Sequence, residues 1–184
     1  MCPLTDLDAA QFTLSQIASA ADIGVGTLKN WFYVAARATN REPTLILDDR
    51  DPSRGRGFVR LFTLRRALQA AIVTELVNIG VEPRVAGPAA RKFTDSASNI
   101  PSGWRGEGPP DIASMRLPGE LFKDGVTRLV LDGNSHARVV DEEAFSEIVR
   151  RETAFTAINL NRIVERVRQR LGIDLAGEAK SAET

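Results

Sequence analysis

The spacing of apolar residues divides this chain of 184 residues into helical and extended stretches. Leu14, Ile17 and Ala18 fall on one face of a short helix, and Thr13 followed three residues later by Gln16 is a capping-box start. That helix runs out near Ala21 and Gly24 breaks it. A second helix, 25–37, then carries Leu28, Trp31 and Phe32 at three- and four-residue spacing. Two short helices joined by a tight turn predict a helix-turn-helix over residues 12–32. Residues 44–48 and 58–62 read as two short strands around the turn-rich loop 49–57, a basic wing.

Thr63 caps a long helix over 64–79, with a stripe of Leu64, Leu68, Ala71, Ile72, Leu76 and Ile79, ended by Gly80 as a left-handed residue. Another helix follows over 81–93, with Pro83 tolerable in its first turn and Gly87 and Pro88 expected to shorten or kink it. From 94 to 118 the chain turns to Ser, Asn, Gly and Pro and predicts a linker, with Trp104 packing back onto a domain. Residues 126–131 and 136–140 flank Asp132-Gly-Asn-Ser135, a turn signal between two β-rich runs. After Asp141 the apolar positions Phe145, Ile148, Val149, Phe155, Ile158, Leu160, Ile163, Val164, Val167 and Leu171 mostly recur at three and four, predicting one helix over 142–171. Such a helix, roughly 45 Å long, needs a partner for its apolar face; Asn159 interrupts the stripe and could pin its register.

The fold class expected is therefore mainly α with two small β-hairpins: a winged helix-turn-helix head and a long C-terminal dimerisation helix. Residues 1–93 form the head, 94–118 the linker, 119–141 the second hairpin, 142–172 the dimerisation helix and 173–184 a mobile tail. The formal net charge is zero, which argues against indiscriminate coating of nucleic acid, but the charge is not evenly spread. Between 25 and 66 Lys29, Arg37, Arg41, Arg50, Arg54, Arg56, Arg60, Arg65 and Arg66 face only Glu42, Asp48, Asp49 and Asp51. Positive charge thus sits beside the helix-turn-helix, where a phosphate-contacting surface needs it.

Cys2 and His136 are the only residues of their types, so no disulfide, cysteine cluster or paired-imidazole metal site can be built within one chain. No metal or cofactor is expected. The sequence has no Gly-Lys-Ser phosphate loop, His-Glu-x-x-His or Gly-x-Ser-x-Gly motif, and the expectation is that the protein is not an enzyme. Glu142 and Glu143 read as charge favoured at a helix N-terminus rather than as a catalytic pair. No stretch approaches the length of a membrane span and the start lacks a signal-peptide pattern, so a cytoplasmic protein with no membrane partner is expected.

Thr27, Lys29, Asn30, Tyr33 and Arg37 lie on the helix that would enter a major groove, while Arg50, Arg54, Arg56 and Arg60 belong to the wing. The bland alternatives are a solvated helix face and a charged loop paired with its own aspartates. This order of elements resembles the MerR-type winged-helix family of transcription regulators. Phe12-Thr-Leu-Ser-Gln-Ile-Ala18 looks like that family's opening helix, and Ile23-Gly-Val-Gly-Thr-Leu-Lys-Asn-Trp31 like its turn and recognition helix. Gly57-Phe-Val-Arg-Leu-Phe-Thr63 is similar to its Gly-Tyr-Arg-x-Tyr wing return with one extra residue, and Leu76-Val-Asn-Ile-Gly-Val81 resembles the end of its third helix. The wing is longer and more basic than the family's, Asn30 and Phe32 stand where Arg or Tyr is usual, and sensor cysteines are missing.

The resemblance covers residues 12–93 and implies an antiparallel coiled-coil dimer that distorts a promoter. The expected function is sequence-specific binding of double-stranded DNA by a homodimer joined through 142–171, as a transcription regulator that could meet RNA polymerase or another DNA-processing protein. The alternatives are a phage-type packaging protein (terminase small subunit), an excisionase-like recombination accessory factor, and an adaptor with a degenerate helix-turn-helix.

Overall fold

A computed structural model describes residues 7–37, 61–98, 116–133 and 135–173, with the side chains of 33–37 outside that description. The short strand β1 (Phe12–Thr13) leads into α1 (Leu14–Ala21) through the expected capping box. Thr13 Oγ1 accepts from the Gln16 amide at 3.3 Å, and Gln16 Oε1 accepts from the Thr13 amide at 2.8 Å, so donors left over at the helix start are satisfied reciprocally. The stop is Asp22 rather than Gly24: Asp22 takes the left-handed conformation at φ 59°, and the Ile23 amide donates back to the Ala18 carbonyl at 3.0 Å. A short acid tolerates that conformation better than most residues. α2 (Val25–Arg37) follows and buries Leu28 and Phe32.

Residues 38–60, which include most of the expected wing, lie outside the described residues. Its last part is seen as β2 (Leu61–Phe62), which pairs antiparallel with β1 in the register Phe12↔Phe62 and Thr13↔Leu61. The Phe32 and Phe62 rings meet at 4.7 Å, tying α2 to this ladder. Thr63 caps α3 (Leu64–Asn78) by accepting from the Arg66 amide. Instead of one apolar stripe, α3 buries residues on every side, Arg66, Gln69 and Thr74 among them, because it is the central helix. Ile79, counted in the expected stripe, is 52% exposed, since it caps the helix and the chain turns away at Gly80 with φ 93°. α4 (Pro83–Thr94) starts on Pro83 and runs through Gly87 and Pro88, where Ala86, Gly87, Ala89 and Ala90 are small buried residues.

The second hairpin is found where the turn signal put it, as β3 (Arg128–Asp132) and β4 (Ala137–Val140), with Leu129↔Val139 and Leu131↔Ala137 in register. Asp132 Oδ1 accepts the His136 amide at 2.9 Å across the turn. The continuous helix over 142–171 does not exist. In its place are α5 (Glu142–Arg151), β5 (Phe155–Asn159) and α6 (Leu160–Arg170), and the sheet order is β4-β3-β5. The physical reason is local. Glu152 is extended at φ −93°, ψ 132°, Thr153 and Thr156 are β-branched, and Asn159 caps α6 by accepting the Arg162 amide at 3.2 Å. β3 offers a hydrogen-bonding edge, and the alternation of Phe155, Ala157 and Asn159 with Thr156 and Ile158 fits it.

One sheet face, with Leu129, Leu131, Val139 and Ile158, joins the main core; the other, with Val130, Val140, Phe155 and Ala157, is covered by α5 through Ile148, Ala144 and Phe145. That main core is one cluster containing Ile17, Leu28, Phe32, Leu68, Ile72 and Phe93 together with Leu160, Ile163, Val164 and Val167. It runs across the expected boundaries at 93/94 and 118/119. Trp104 and the tail from 174 lie outside the described residues, and among those described no helix is long and apolar enough to cross a membrane.

Candidate nucleic-acid interface

The helical period of α2 decides what it can offer to a partner. With Leu28 and Phe32 fully buried against α1 and the β1–β2 ladder, Thr27, Lys29 and Asn30 are left on the exposed side and Trp31 is half-buried. Tyr33 and Arg37 belong to α2 by their backbone, but their side chains lie outside the described residues, as do Arg50, Arg54, Arg56 and Arg60. Three of the nine expected contact residues are therefore brought onto one helix surface with described side chains.

Two further features of this surface were not read as site residues. Val25 is an exposed apolar residue at the start of α2, 44% accessible, and a side chain added at Gly26 would meet no atom within 4 Å. A smooth, open first turn lets another backbone come close. Their signal was present in Gly24-Val-Gly26 but was indistinguishable from a loop sequence.

The basic band narrows in the folded chain. Arg65 donates from Nε and Nη2 to the two Asp8 carboxylate oxygens at 2.6 and 2.8 Å and from Nη1 to the Thr94 carbonyl. This side-chain hydrogen bonding holds the Asp8 carboxyl below the ordinary carboxylate range. Arg66, 5% exposed, reaches Gln69 Oε1 at 2.8 Å and Asp95 at 3.1 Å. Both arginines hold α3 to its neighbours. They were counted in the excess of positive charge next to the helix-turn-helix, yet their guanidinium groups are spent inside the fold.

A residue far along the chain enters instead. The C-terminal end of α6 lies beside the α1–α2 turn, and Arg170 Nη1 donates to the Ser19 carbonyl at 3.0 Å while lying 3.5 Å from Asp22 Oδ1. Arg166, one helical turn earlier, pairs with Glu75 of α3 at 2.6 Å. No single-sequence pattern marks Arg170, because its partners are about 150 residues away.

Among the described residues no group of three or more His, Cys, Asp or Glu could hold a metal ion. His136 is a surface residue 3.6 Å from Asp132. Comparison with family models, with curated proteins and with solved structures returns no match to this chain.

Proposed function

We propose that this chain binds double-stranded DNA through α2, reading sequence in a major groove as a transcription regulator of the kind the MerR-type resemblance suggests. The observation that supports it is the helix pair α1–α2 with its tight left-handed turn. Leu28 and Phe32 point inward, and Thr27, Lys29 and Asn30 are exposed on the other side. In this reading Asn30 and Thr27 stand nearest base edges, where amide and hydroxyl groups can donate and accept, and Lys29 holds a phosphate. The order of β2, α3 and α4 after α2 is also the order the resemblance implies. Arg50, Arg54, Arg56 and Arg60 complete the proposal as phosphate contacts from the wing. Two copies would meet two half-sites, which requires a contact surface other than a single helix over 142–171.

The test is selection from random duplex DNA, followed by anisotropy titration of the enriched site at several salt concentrations. An inverted repeat is expected, and Lys29→Ala, Arg54→Ala and Arg56→Ala should each reduce the salt slope by about one. Asn30→Ala should relax base preference at one position and leave the slope alone. Enrichment of no sequence, with slopes unchanged in all three variants, would refute the reading. A single unrepeated site would remove its two-copy part.

A further inference from the structure

We infer that Arg170 is a positioning residue for DNA recognition: from the far end of the chain it neutralises the α1–α2 turn, so that α2 can approach a polyanion. The inference rests on the DNA-binding reading above and adds a role for α6 to it.

Two negative features converge at the turn. The C-terminal end of an α-helix carries partial negative charge on carbonyls that lack intrahelical donors, and α1 ends here. Ser19 supplies one such carbonyl, which takes only a 3.3 Å bond from the Asp22 amide within its own segment. Asp22 then adds a full charge, held in place by its left-handed backbone and largely exposed. Asp22 lies three residues and Ser19 six residues before Val25, where the first turn of α2 begins, the part of a recognition helix that enters a groove first. Left alone, the turn would repel the phosphates flanking that groove.

Arg170 answers both groups with one guanidinium, donating to Ser19 O at 3.0 Å and facing Asp22 at 3.5 Å. Together with Ala18, Ile23 and Gly24 they line a shallow groove between α6 and the turn. A guanidinium suits this place better than an ammonium because its planar fork can serve a carbonyl and a carboxylate together. It is held there by α6, whose Leu160, Ile163, Val164 and Val167 are buried in the main core. The C-terminal segment thereby sets the electrostatics of a surface made by residues 18–30.

The mechanism makes a specific genetic demand. If Arg170 acts by cancelling Asp22, removing the acid must repair the loss of the arginine. Arg170→Ala is expected to weaken binding to the selected duplex about threefold to tenfold at low salt, with the difference shrinking as salt rises, as for any exposed charge. Asp22→Asn should bind as well as the parent or better, because Asn also tolerates the left-handed backbone. The double variant should recover most of the loss, and Arg170→Lys should recover part. Hydrogen exchange of the amides at 22–24, read without DNA, should quicken in Arg170→Ala.

If Arg170→Ala binds as the parent does, or if Asp22→Asn fails to rescue it, the electrostatic role is overturned; unchanged exchange at 22–24 would overturn the positioning itself. A parent chain with no affinity for any duplex would instead overturn the DNA-binding reading and, with it, the role of Arg170 in recognition. The exchange measurement would still decide whether Arg170 holds the turn.

Discussion

Arg116 shows what one buried side chain does in this fold. It is 1% exposed and its guanidinium gathers carbonyls from one small region: Lys92 at 3.0 Å, Phe93 at 3.0 Å, Leu117 at 2.9 Å, Glu120 at 3.1 Å, and Ser96. Ser98 Oγ accepts as well, and the Phe93 ring lies under the group at 5.1 Å. Lys92 and Phe93 are in the last turn of α4, whose carbonyls have no donors of their own. Arginine, with five N–H groups, comes nearest of all side chains to serving this many acceptors, some of which share a hydrogen. Burial lowers its pKa to about 10, which leaves it charged at neutral pH. Arg116→Met should leave several carbonyls unpaired and destabilise by about 3 kcal/mol or more, and Arg116→Lys should restore only part of that. Urea unfolding measures both; a loss below about 1 kcal/mol for Arg116→Met would show that water replaces the guanidinium.

At the scale of elements, the segment 142–171 is the instructive one. Its apolar spacing satisfies a helix over most of its length, yet the chain forms helix, strand and helix. Asn159 distinguishes the two outcomes energetically. As the N-cap of α6 it accepts the Arg162 amide, so Asn159→Ala should destabilise the protein by roughly 1 kcal/mol. In the interior of a continuous helix the same substitution would stabilise by a few tenths of a kcal/mol, because alanine has the higher helix propensity. The sign of the change in urea midpoint, with Asn159→Asp as a near-neutral control, therefore reads the local architecture directly.

At the scale of the whole molecule, α3 is enclosed by α1, α4 and α6, and the apolar cluster around it includes residues from Phe12 to Val167. Arg166 with Glu75 of α3 and Arg170 with Ser19 of α1 add polar ties between α6 and the N-terminal helices. Elements that share a core unfold together. A single calorimetric transition is expected, with calorimetric and van't Hoff enthalpies in agreement. A separate transition belonging to residues 116–173 would contradict the shared core.

Local pattern alone determined the elements whose signals are local. The capping box at Thr13, the α1–α2 pair, the Thr63 cap and the Asp132–Ser135 turn each depend on residues within a few positions of one another, and each stands where the sequence placed it. The face of α2 carrying Thr27, Lys29 and Asn30 was legible for the same reason, since burial of Leu28 and Phe32 follows from period. Tertiary structure decided the rest. Whether residues 155–159 become strand depends on the edge of β3 lying beside them. Whether Arg65 and Arg66 face a ligand or hold α3 depends on where Asp8 and Asp95 arrive. That Arg116 is a core residue, in a stretch whose composition reads as linker, depends on the open end of α4 meeting it. In each case the deciding partner is distant in sequence, and single-sequence periodicity carries no information about which distant groups will meet.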